Sequence, residues 1–311
     1  MNAINIPSSN ILSGRRFIIT GCGYKPVEHI FYDPVTNKPC HNEMQINNVP
    51  MKINIGAAVA YVLAAQGATV HMISTTREKL ENLKQDIIEK TSCEPQKIEY
   101  SKVDLLNEKS VSNFVKKLPR DLPINWVQSI GLGAGAYKIK DGNPYLPLEE
   151  ISVELLEKES STVLRGTHIM MQNLLPIFKK QSKQDGVESR IIIISSMSAI
   201  RGYIRGGTHC AAKGAISRYA NAAMLELWKD KIYVTDMRPG GIDTGGYDNQ
   251  VVQESILKID NEYGRYWRET GIHFAQPISV GYAVNMILSA PGAHVTSMNL
   301  VAKGQCPNEG S

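Results

Sequence analysis

The stretch RFIITGCG, Arg16–Gly23, decides the fold, because it runs from a strand-type sequence directly into a glycine turn. Asn54-Ile55-Gly56 then opens the next helical segment. Gly21 and Gly23 permit a tight turn, and a helix start presents unpaired N–H groups to a pyrophosphate. This arrangement predicts a dinucleotide site. Its glycine-rich phosphate-binding motif, the glycine fingerprint, is divided into two parts by the residues between Gly23 and Asn54. The alternative is that these glycines only end a strand and a helix.

Strand-length apolar runs alternate with longer helical patterns along the rest of the chain, which is typical of βαβ units. The predicted strands are Arg16–Thr20, Ala68–Ser74, Ile98–Val103, Ile124–Ile130, Arg190–Ser195, Lys231–Met237 and His294–Val301. The predicted helices are Ile55–Gln66, Arg77–Lys90, a long helix within Leu146–Pro176, Thr208–Leu227 and one near Val280–Leu288. The order predicts an α/β fold: one Rossmann-type, doubly wound parallel sheet with helices on both faces, formed by residues 1–311 as a single domain.

One segment interrupts this pattern. The residues between Gly23 and Asn54 are polar, contain proline and show no clear periodicity. A loop of this length inside a domain is usually functional or disordered. We therefore predict an insertion, at about residues 24–53, that covers or reshapes the phosphate-binding turn.

Composition excludes several function classes. The net charge of +4 is spread over 34 basic and 30 acidic residues without a long basic run, so nucleic acid and membrane surfaces are not expected partners. The five cysteines are scattered and lack CxxC spacing, which predicts a reducing compartment and no metal site. The absence of a signal-peptide core and of an apolar run of about 18 residues favours a cytoplasmic protein.

The end of the second predicted strand indicates which dinucleotide is bound. Ser74, Thr75 and Arg77 stand there, with no acidic residue to accept hydrogen bonds from the ribose hydroxyls of NAD. Hydroxyls and an arginine suit a 2′-phosphate, so we predict NADP(H) in preference to NAD(H). Arg77 is otherwise a solvated residue at a helix start. Asp104, at the end of the third strand, hydrogen-bonds the adenine amino group, caps the following helix, or does both.

Six features in this order resemble the short-chain dehydrogenase/reductase family. They are Thr20-Gly21, Ile55-Gly56, Asp104, Ser196, Lys213 and Pro239-Gly240 with Thr244. The resemblance covers the chain from about Arg16 to the C-terminal strand. It implies a Rossmann-type domain, a bound nicotinamide dinucleotide, a small-molecule substrate and a homodimer or homotetramer packed through the two long helices.

The resemblance also implies roles for individual residues. Ser196 matches the serine that hydrogen-bonds the substrate oxygen. Lys213 matches the lysine that holds the nicotinamide ribose and lowers the pKa of the neighbouring acid. The turn that clasps the nicotinamide amide and the pyrophosphate is matched by Pro239, Gly240, Ile242 and Thr244. Gln128-Ser129-Ile130-Gly131 stands where the family has Asn-Asn-Ala-Gly, and this match is partial.

Two residues depart from the family pattern. His209 stands where the family has its catalytic tyrosine, and Val163 stands where many members have an asparagine that supports a water relay to the lysine. Imidazole has an ordinary pKa near 6.5 and suits proton transfer at neutral pH. Lys213 would lower that pKa, which makes His209 a better base than acid. The alternatives are that His209 is a spectator, or that Tyr203 supplies a phenol from another direction.

The segment at about residues 245–277 follows the position from which this family covers its substrate. Its aromatic residues predict a lid over a partly apolar substrate, or ordinary helix packing; they are Tyr247, Tyr263, Tyr266, Trp267 and His273. The sequence as a whole predicts an atypical NADP(H)-dependent oxidoreductase acting on a carbonyl or hydroxyl of a small metabolite. The alternative is a protein of this fold that binds a dinucleotide or another ligand without redox turnover, as a binding protein or a non-redox enzyme.

Overall fold

A parallel sheet of seven strands organises the residues that the computed structural model describes, which are 8–33, 36–40, 44–131, 145–184, 186–248, 250–263 and 273–304. The strands are β1 (Arg16–Thr20), β5 (Thr69–Ser74), β6 (Ile98–Lys102), β7 (Ile124–Gln128), β8 (Ser189–Ile194), β9 (Ile232–Pro239) and β10 (Ser297–Leu300). Their order across the sheet is β6-β5-β1-β7-β8-β9-β10, so the strand order reverses between β1 and β7. Every neighbouring pair is parallel.

Helices cover both faces of this sheet, and the predicted fold class is confirmed. One core cluster joins the sheet to α1 (Ile55–Ala65), α2 (Arg77–Thr91) and α7 (Pro277–Ser289). A second cluster joins the opposite face to α3 (Glu108–Lys117), α4 (Val153–Gln181) and α5 (Gly207–Leu227). A further helix, α6 (Gln250–Tyr263), follows β9.

The strands at the centre of the sheet form because both of their faces are buried. Ile191–Ile194 in β8 are all buried, as a strand covered by helices on both faces requires. Each such side chain contributes roughly 1.5–3 kcal/mol when it leaves water.

In α4, the helix continues past Pro176, where the predicted segment stopped, because Phe178 is fully buried and packs the last turn onto the core.

The segment between Gly23 and Asn54 contains regular structure that the sequence analysis did not predict. Its strands β2 (Tyr24–Pro26), β3 (Met44–Ile46) and β4 (Val49–Ile53) form an antiparallel sheet in the order β2-β4-β3. Asn47 and Asn48 have φ values of 50° and 64°, and they connect β3 to β4 as a two-residue hairpin. Two consecutive asparagines between apolar residues are a hairpin signal, and that signal was missed.

The parallel sheet brings distant parts of the chain to one edge. Gly21, Asp104, Gly131 and Ser196 each follow the carboxyl end of a different strand, and Ser74 is the last residue of another. Ligands of doubly wound sheets bind outside these carboxyl ends, at the point where the strand order reverses. The fold therefore places the predicted site residues on the side of the sheet where a site is expected.

Candidate active site

Asn54 closes the split glycine turn. Its side-chain amide donates to the Gly21 carbonyl at 2.7 Å, and its Oδ1 accepts from the Gly23 N–H at 3.1 Å. The same Oδ1 accepts from the Ala57 N–H at 3.0 Å and so caps α1. The two halves of the fingerprint thus meet as one turn at the start of a helix, although about thirty residues separate them in sequence.

Two glycines are required for this turn. Gly21 has a φ of 80°, and a Cβ atom there would lie 2.2 Å from the carbonyl oxygen of Ser129. A Cβ atom on Gly56 would lie 2.8 Å from the carbonyl oxygen of Gly21. Both obstacles are backbone atoms, which cannot rotate away as a side chain would. The close contact between the end of β1 and the start of α1 therefore depends on the missing side chains.

We expect the substitution Gly56→Ala to destabilise the protein, because the added methyl group meets the Gly21 carbonyl. Overpacking of this kind costs about 1–3 kcal/mol of unfolding free energy. The matched control is Gly214→Ala in α5, where a Cβ atom would find open space. That control is expected to raise stability by about 0.5–1 kcal/mol, because alanine favours a helix interior. Urea unfolding of both variants checks the pair; equal stability changes would contradict the proposed contact.

The residues predicted to contact the adenosine half of a dinucleotide lie at the ends of β5 and β6. Arg77 is exposed in the first turn of α2, and its Nε donates to Glu81 at 2.8 Å. Thr75 is exposed and Ser74 half-buried beside it. Asp104 is also exposed, and its Oδ1 accepts from the Leu106 N–H at 3.0 Å.

The capping role considered for Asp104 is wrong. Asn107 is the N-cap of α3, and its side chain accepts from the Ser110 N–H at 3.0 Å. The Asp104 carboxylate instead forms a local turn immediately after β6. Its exposed position at the strand end is compatible with the other role considered for it, a hydrogen bond to adenine.

Lys213 is buried at the carboxyl edge of the sheet. Its Nζ donates to the carbonyl of Ile130, just after β7, at 3.4 Å and to the carbonyl of Ile194, the last residue of β8, at 3.3 Å. Burial lowers the pKa of the Lys213 ammonium from 10.5 to about 8, although the charge of Asp236 opposes this shift. The ammonium therefore exchanges its proton near neutral pH more readily than an exposed lysine does.

His209 lies one helical turn before Lys213 on α5 and is half-buried. Burial, followed by repulsion from Lys213, lowers the pKa of the imidazole from 6.5 to about 3. The ring is therefore neutral at physiological pH, with one nitrogen that donates a hydrogen bond and one that accepts. The ring of Tyr203 lies beside it, with a centroid distance of 6.1 Å.

Ser196 begins the turn that follows β8. It is half-buried, and its Oγ accepts from the Ser198 N–H at 3.1 Å. Its position is fixed by a buried residue that the sequence analysis missed, Asp236 in β9. The Asp236 carboxylate accepts from the hydroxyls of Ser195 and Ser217, the latter at 2.6 Å. Asp236 thereby joins the residue before Ser196 to the helix that carries His209 and Lys213.

The predicted turn after β9 lies at the same edge. The Gly240 N–H donates to the carbonyl of Leu300 at 2.7 Å, and the Thr244 N–H donates to the carbonyl of Ile242 at 2.9 Å. Ile242 also forms an isolated bridge with Ala275. Pro239 is the last residue of β9. These bonds fix the turn against β10 and against the segment that precedes α7.

The α4 side of the site is apolar at the position expected for a water relay. Val163 is fully buried in the core. Gln128, at the end of β7, donates to Thr167 Oγ1 at 2.7 Å, and Thr167 Oγ1 donates to the Val163 carbonyl at 2.7 Å. Gln128, Thr167 and Val163 are thus linked by hydrogen bonds within the core.

Of the glycines that follow β7, Gly131 is exposed, and Gly133 and Gly135 lie outside the described residues.

The predicted lid is described only in part. Tyr247 packs on Phe274 with a ring centroid distance of 4.5 Å, in agreement with the packing alternative for that residue. Helix α6 ends at Tyr263, whereas Tyr266 and Trp267 lie outside the described residues. The lid stays a prediction.

A family model decides the relationship to known proteins: the model of the short chain dehydrogenases matches residues 53–254. The chain belongs to this family. The match begins at the last residue of β4, so β1 and most of the Gly23–Asn54 segment lie outside it. Members of the short-chain dehydrogenase family are NAD(P)-dependent oxidoreductases.

Individual relatives are distant. A 3-ketodihydrosphingosine reductase of Bacteroides thetaiotaomicron is 27% identical over 204 residues, which cover 64% of this chain and 64% of the relative. A 3-oxoacyl-(acyl-carrier-protein) reductase of Aggregatibacter actinomycetemcomitans is 33% identical over 175 residues, which cover 55% of this chain and 66% of the relative. The chain thus spans just under two thirds of the length of each of these curated relatives.

A solved short-chain oxidoreductase of Pseudomonas aeruginosa PAO1 shares the fold. It is described as NADPH-bound and as containing an atypical catalytic center. It superimposes with a TM-score of 0.67 at 14% identity, and the alignment covers 95% of this chain and 98% of that one.

None of the helices described is both long and apolar enough to cross a membrane. In the same part of this short-chain dehydrogenase, no three histidine, cysteine, aspartate or glutamate side chains cluster in a way that would hold a metal ion.

Proposed function

We propose that the protein is an NADP(H)-dependent oxidoreductase that acts on a carbonyl or hydroxyl group of a small metabolite. The observation that carries this proposal is the buried ammonium of Lys213. It lies between the ends of β7 and β8, one helical turn after His209. A buried ammonium group with a shifted pKa, at the edge of a doubly wound sheet where ligands bind, is more typical of a catalytic residue than of a purely structural one.

The residues around the glycine turn fit a dinucleotide. The start of α1 is capped by the Asn54 amide, and its first turn holds no acidic residue to repel a pyrophosphate. Gly21, Gly23, Ile55 and Gly56 would approach the phosphates with their backbone, as glycine-rich turns do. Gly131, the turn from Pro239 to Thr244 and Lys213 would hold the nicotinamide half, as the resemblance implies. When bound, the nicotinamide supplies the hydride in reduction and accepts it in oxidation.

Three side chains handle the substrate oxygen in this proposal. Ser196 and the neutral ring of His209 donate hydrogen bonds to the oxygen and so stabilise the negative charge that forms on it. His209 gives its N–H proton to that oxygen while its other ring nitrogen takes a proton from the ammonium of Lys213, so the imidazole stays neutral and acts as a proton relay. This assignment takes His209 as the replacement for the tyrosine of the family. Its support is the lowered pKa, which keeps the imidazole neutral beside a charged lysine.

Arg77 supports the preference for NADP(H), together with the NADPH-bound relative of similar fold. We expect Arg77→Ala to weaken NADPH binding by about tenfold to a hundredfold, because one charge-assisted hydrogen bond to the 2′-phosphate is lost. NADH binding is expected to stay within twofold. Glu81→Gln is the matched control, because it removes the negative charge beside Arg77 without removing the guanidinium. Calorimetric titration checks both variants; equal loss for NADPH and NADH would contradict the role of Arg77.

A homodimer or homotetramer is also proposed. A broad groove of about 1090 Å³ runs along the outer side of α4 and includes Leu164, His168 and the α5 residue Tyr219. Leu225 and Trp228, at the end of α5, are exposed apolar side chains. The resemblance implies packing through these two long helices, and the apolar surface supports it.

The direct test of the function is oxidation of NADPH by the purified protein in the presence of a panel of small ketones, aldehydes and 3-oxoacyl thioesters. Turnover with at least one defined carbonyl compound is expected. Tight NADPH binding without turnover on any of them would favour the alternative, a binding protein or non-redox enzyme of this fold.

A further inference from the structure

The Gly23–Asn54 segment contains a fully buried lysine. Lys52, the residue before the end of β4, donates from Nζ to Asp243 Oδ1 at 2.8 Å and to Asp248 Oδ1 at 2.8 Å. It also donates to the carbonyl of His29. The side chains of Lys52 and Asp243 are 0% exposed, and that of Asp248 is 3% exposed. Both aspartates lie in the loop that follows β9, 191 and 196 residues further along the chain.

An apolar contact accompanies the charged one. The ammonium of Lys52 lies 5.0 Å from the ring centroid of Phe31, within the range of a cation–π interaction. Phe31 packs on Phe274 at 4.6 Å, and Phe274 packs on Tyr247 at 4.5 Å. Aromatic rings from the segment, from the loop after β9 and from the residues before α7 thus form one small cluster around the ion pairs.

Two hydrogen bonds that involve backbone groups also link the segment to neighbouring parts of the chain. The Glu28 N–H donates to Asp248 Oδ2 at 3.3 Å, and Gln276 Nε2 donates to the carbonyl of Pro39 at 3.2 Å. The segment therefore bonds the loop after β9 at Asp243 and Asp248, and it bonds Gln276 at the start of α7 as well.

The beginning of the segment is attached on the opposite side of the glycine turn. Lys79 Nζ donates to the Tyr24 carbonyl at 3.0 Å, and Asn82 Nδ2 donates to the Tyr24 hydroxyl at 2.9 Å. Lys79 and Asn82 belong to α2, which begins at Arg77. The segment thus connects α2, on the adenosine side, to the loop that contains Ile242 and Thr244.

We propose that the described parts of the Gly23–Asn54 segment act as a clasp between α2 and the loop 240–248, and that Lys52 is its positioning residue, which holds this loop in its binding conformation before any dinucleotide arrives. This inference rests on the proposed function, since the role of Ile242 and Thr244 is assigned there. A loop that is already ordered loses less conformational entropy on binding, so a given set of contacts yields a higher affinity.

Charge gives a second reason for this role. The loop places two carboxylates, Asp243 and Asp248, beside the turn assigned to an anionic cofactor. The Lys52 ammonium lies between them and reduces the negative charge that a pyrophosphate would otherwise meet. Without Lys52 the loop would be both less ordered and more repulsive to phosphate.

The test compares Lys52→Met with Lys25→Met. Lys25 lies opposite Lys52 in the same small sheet and is half-buried. Its Nζ donates to the Gly245 carbonyl at 3.5 Å, and it interacts electrostatically with Asp248 and Glu28. In the dinucleotide-free protein, amide hydrogen exchange of residues 240–248 is expected to be at least tenfold faster in Lys52→Met than in the wild type. NADPH dissociation constants are expected to rise at least tenfold. Lys25→Met is expected to change both by less than threefold.

Removing one partner of a buried ion pair also destabilises a protein, because a charge is left unpaired. The triple variant Lys52→Met, Asp243→Asn, Asp248→Asn removes all three charges and is the folding control. It is expected to unfold at nearly the wild-type temperature while residues 240–248 still exchange fast. Wild-type exchange of the loop in either Lys52 variant would overturn the proposal.

The two proposals fail separately. If the wild type binds no NADPH, the proposed function fails, whereas the exchange of residues 240–248 in the dinucleotide-free variants still decides whether Lys52 positions the loop. If the wild type binds NADPH and Lys52→Met binds it equally well, the clasp is refuted and the proposed function stands.

Discussion

Replacing Lys213 by methionine is expected to lower kcat/KM by about 10²–10⁴-fold, the usual effect of losing a positioned proton donor. The methionine side chain nearly fills the volume of the lysine but carries no proton. It also leaves the carbonyls of Ile130 and Ile194 without their donor, at a cost of about 1–3 kcal/mol of stability for each unsatisfied group. Steady-state kinetics with NADPH and a responsive carbonyl substrate measures the effect. Lys229→Met, after the end of α5, is the control and is expected to keep full activity.

The pH profile of the wild type gives a second readout of the same residue. Because the pKa of Lys213 is about 8, the ammonium is present below that pH and is lost above it. Reduction consumes a proton, so kcat/KM for reduction is expected to fall as the pH rises through about 8, while the rate of alcohol oxidation rises. The inflection is expected to disappear in Lys213→Met. An inflection near 8 that persists in this variant would assign the proton to another group.

The substitution His209→Ala is expected to lower kcat by about 10²–10⁴-fold, because the group that transfers the proton to the substrate oxygen is removed. NADPH affinity is expected to stay within about threefold, since His209 is assigned to the substrate and Lys213 to the cofactor. The wild type is expected to show no inflection between pH 5 and 7, because the pKa of His209 is about 3. Stopped-flow or steady-state kinetics, with fluorescence titration of NADPH, separates the two effects.

Tyr203 provides the decisive control for His209, because its ring lies beside the imidazole at a centroid distance of 6.1 Å. We expect Tyr203→Phe to keep at least a third of the wild-type kcat, since the phenyl ring preserves the packing and only the hydroxyl is lost. The opposite pattern, with full activity in His209→Ala and none in Tyr203→Phe, would make Tyr203 the proton carrier. Wild-type activity in both variants would leave neither residue with a role in proton transfer.

The sequence predicts the sheet and most of its strand-end residues because both follow local rules. The β-branched run from Ile191 to Ile194 specifies a buried strand, and a parallel sheet brings the residues after each strand to a common edge. Gly21 follows from these rules alone, whereas the roles of Ser196 and Gly240 come from the resemblance to the short-chain dehydrogenase family. The split turn was also predicted, although its closure by the Asn54 side chain depends on an amide geometry that spacing does not show.

Contacts between distant segments were not predictable from one sequence. Lys52 was counted as part of a polar, irregular stretch, because its partners Asp243 and Asp248 lie almost two hundred residues away. Asp236 was hidden in a strand pattern for the same reason. Its two hydroxyl partners, Ser195 and Ser217, come from different elements. For Lys52 a signal was available, because it stands between the apolar residues Met51 and Ile53 in a strand-type sequence, and a charge that becomes buried is normally paired.

Calorimetric titration of the wild-type protein with NADPH and, separately, with NADH tests the cofactor binding on which the proposed function depends. Saturable binding of one NADPH per chain is expected, at least tenfold tighter than NADH. Tighter binding of NADH would contradict the assignment of Ser74, Thr75 and Arg77 to a 2′-phosphate. Binding of neither nucleotide would contradict the account as a whole, because the glycine turn, Lys213 and the loop after β9 would then have no cofactor to hold.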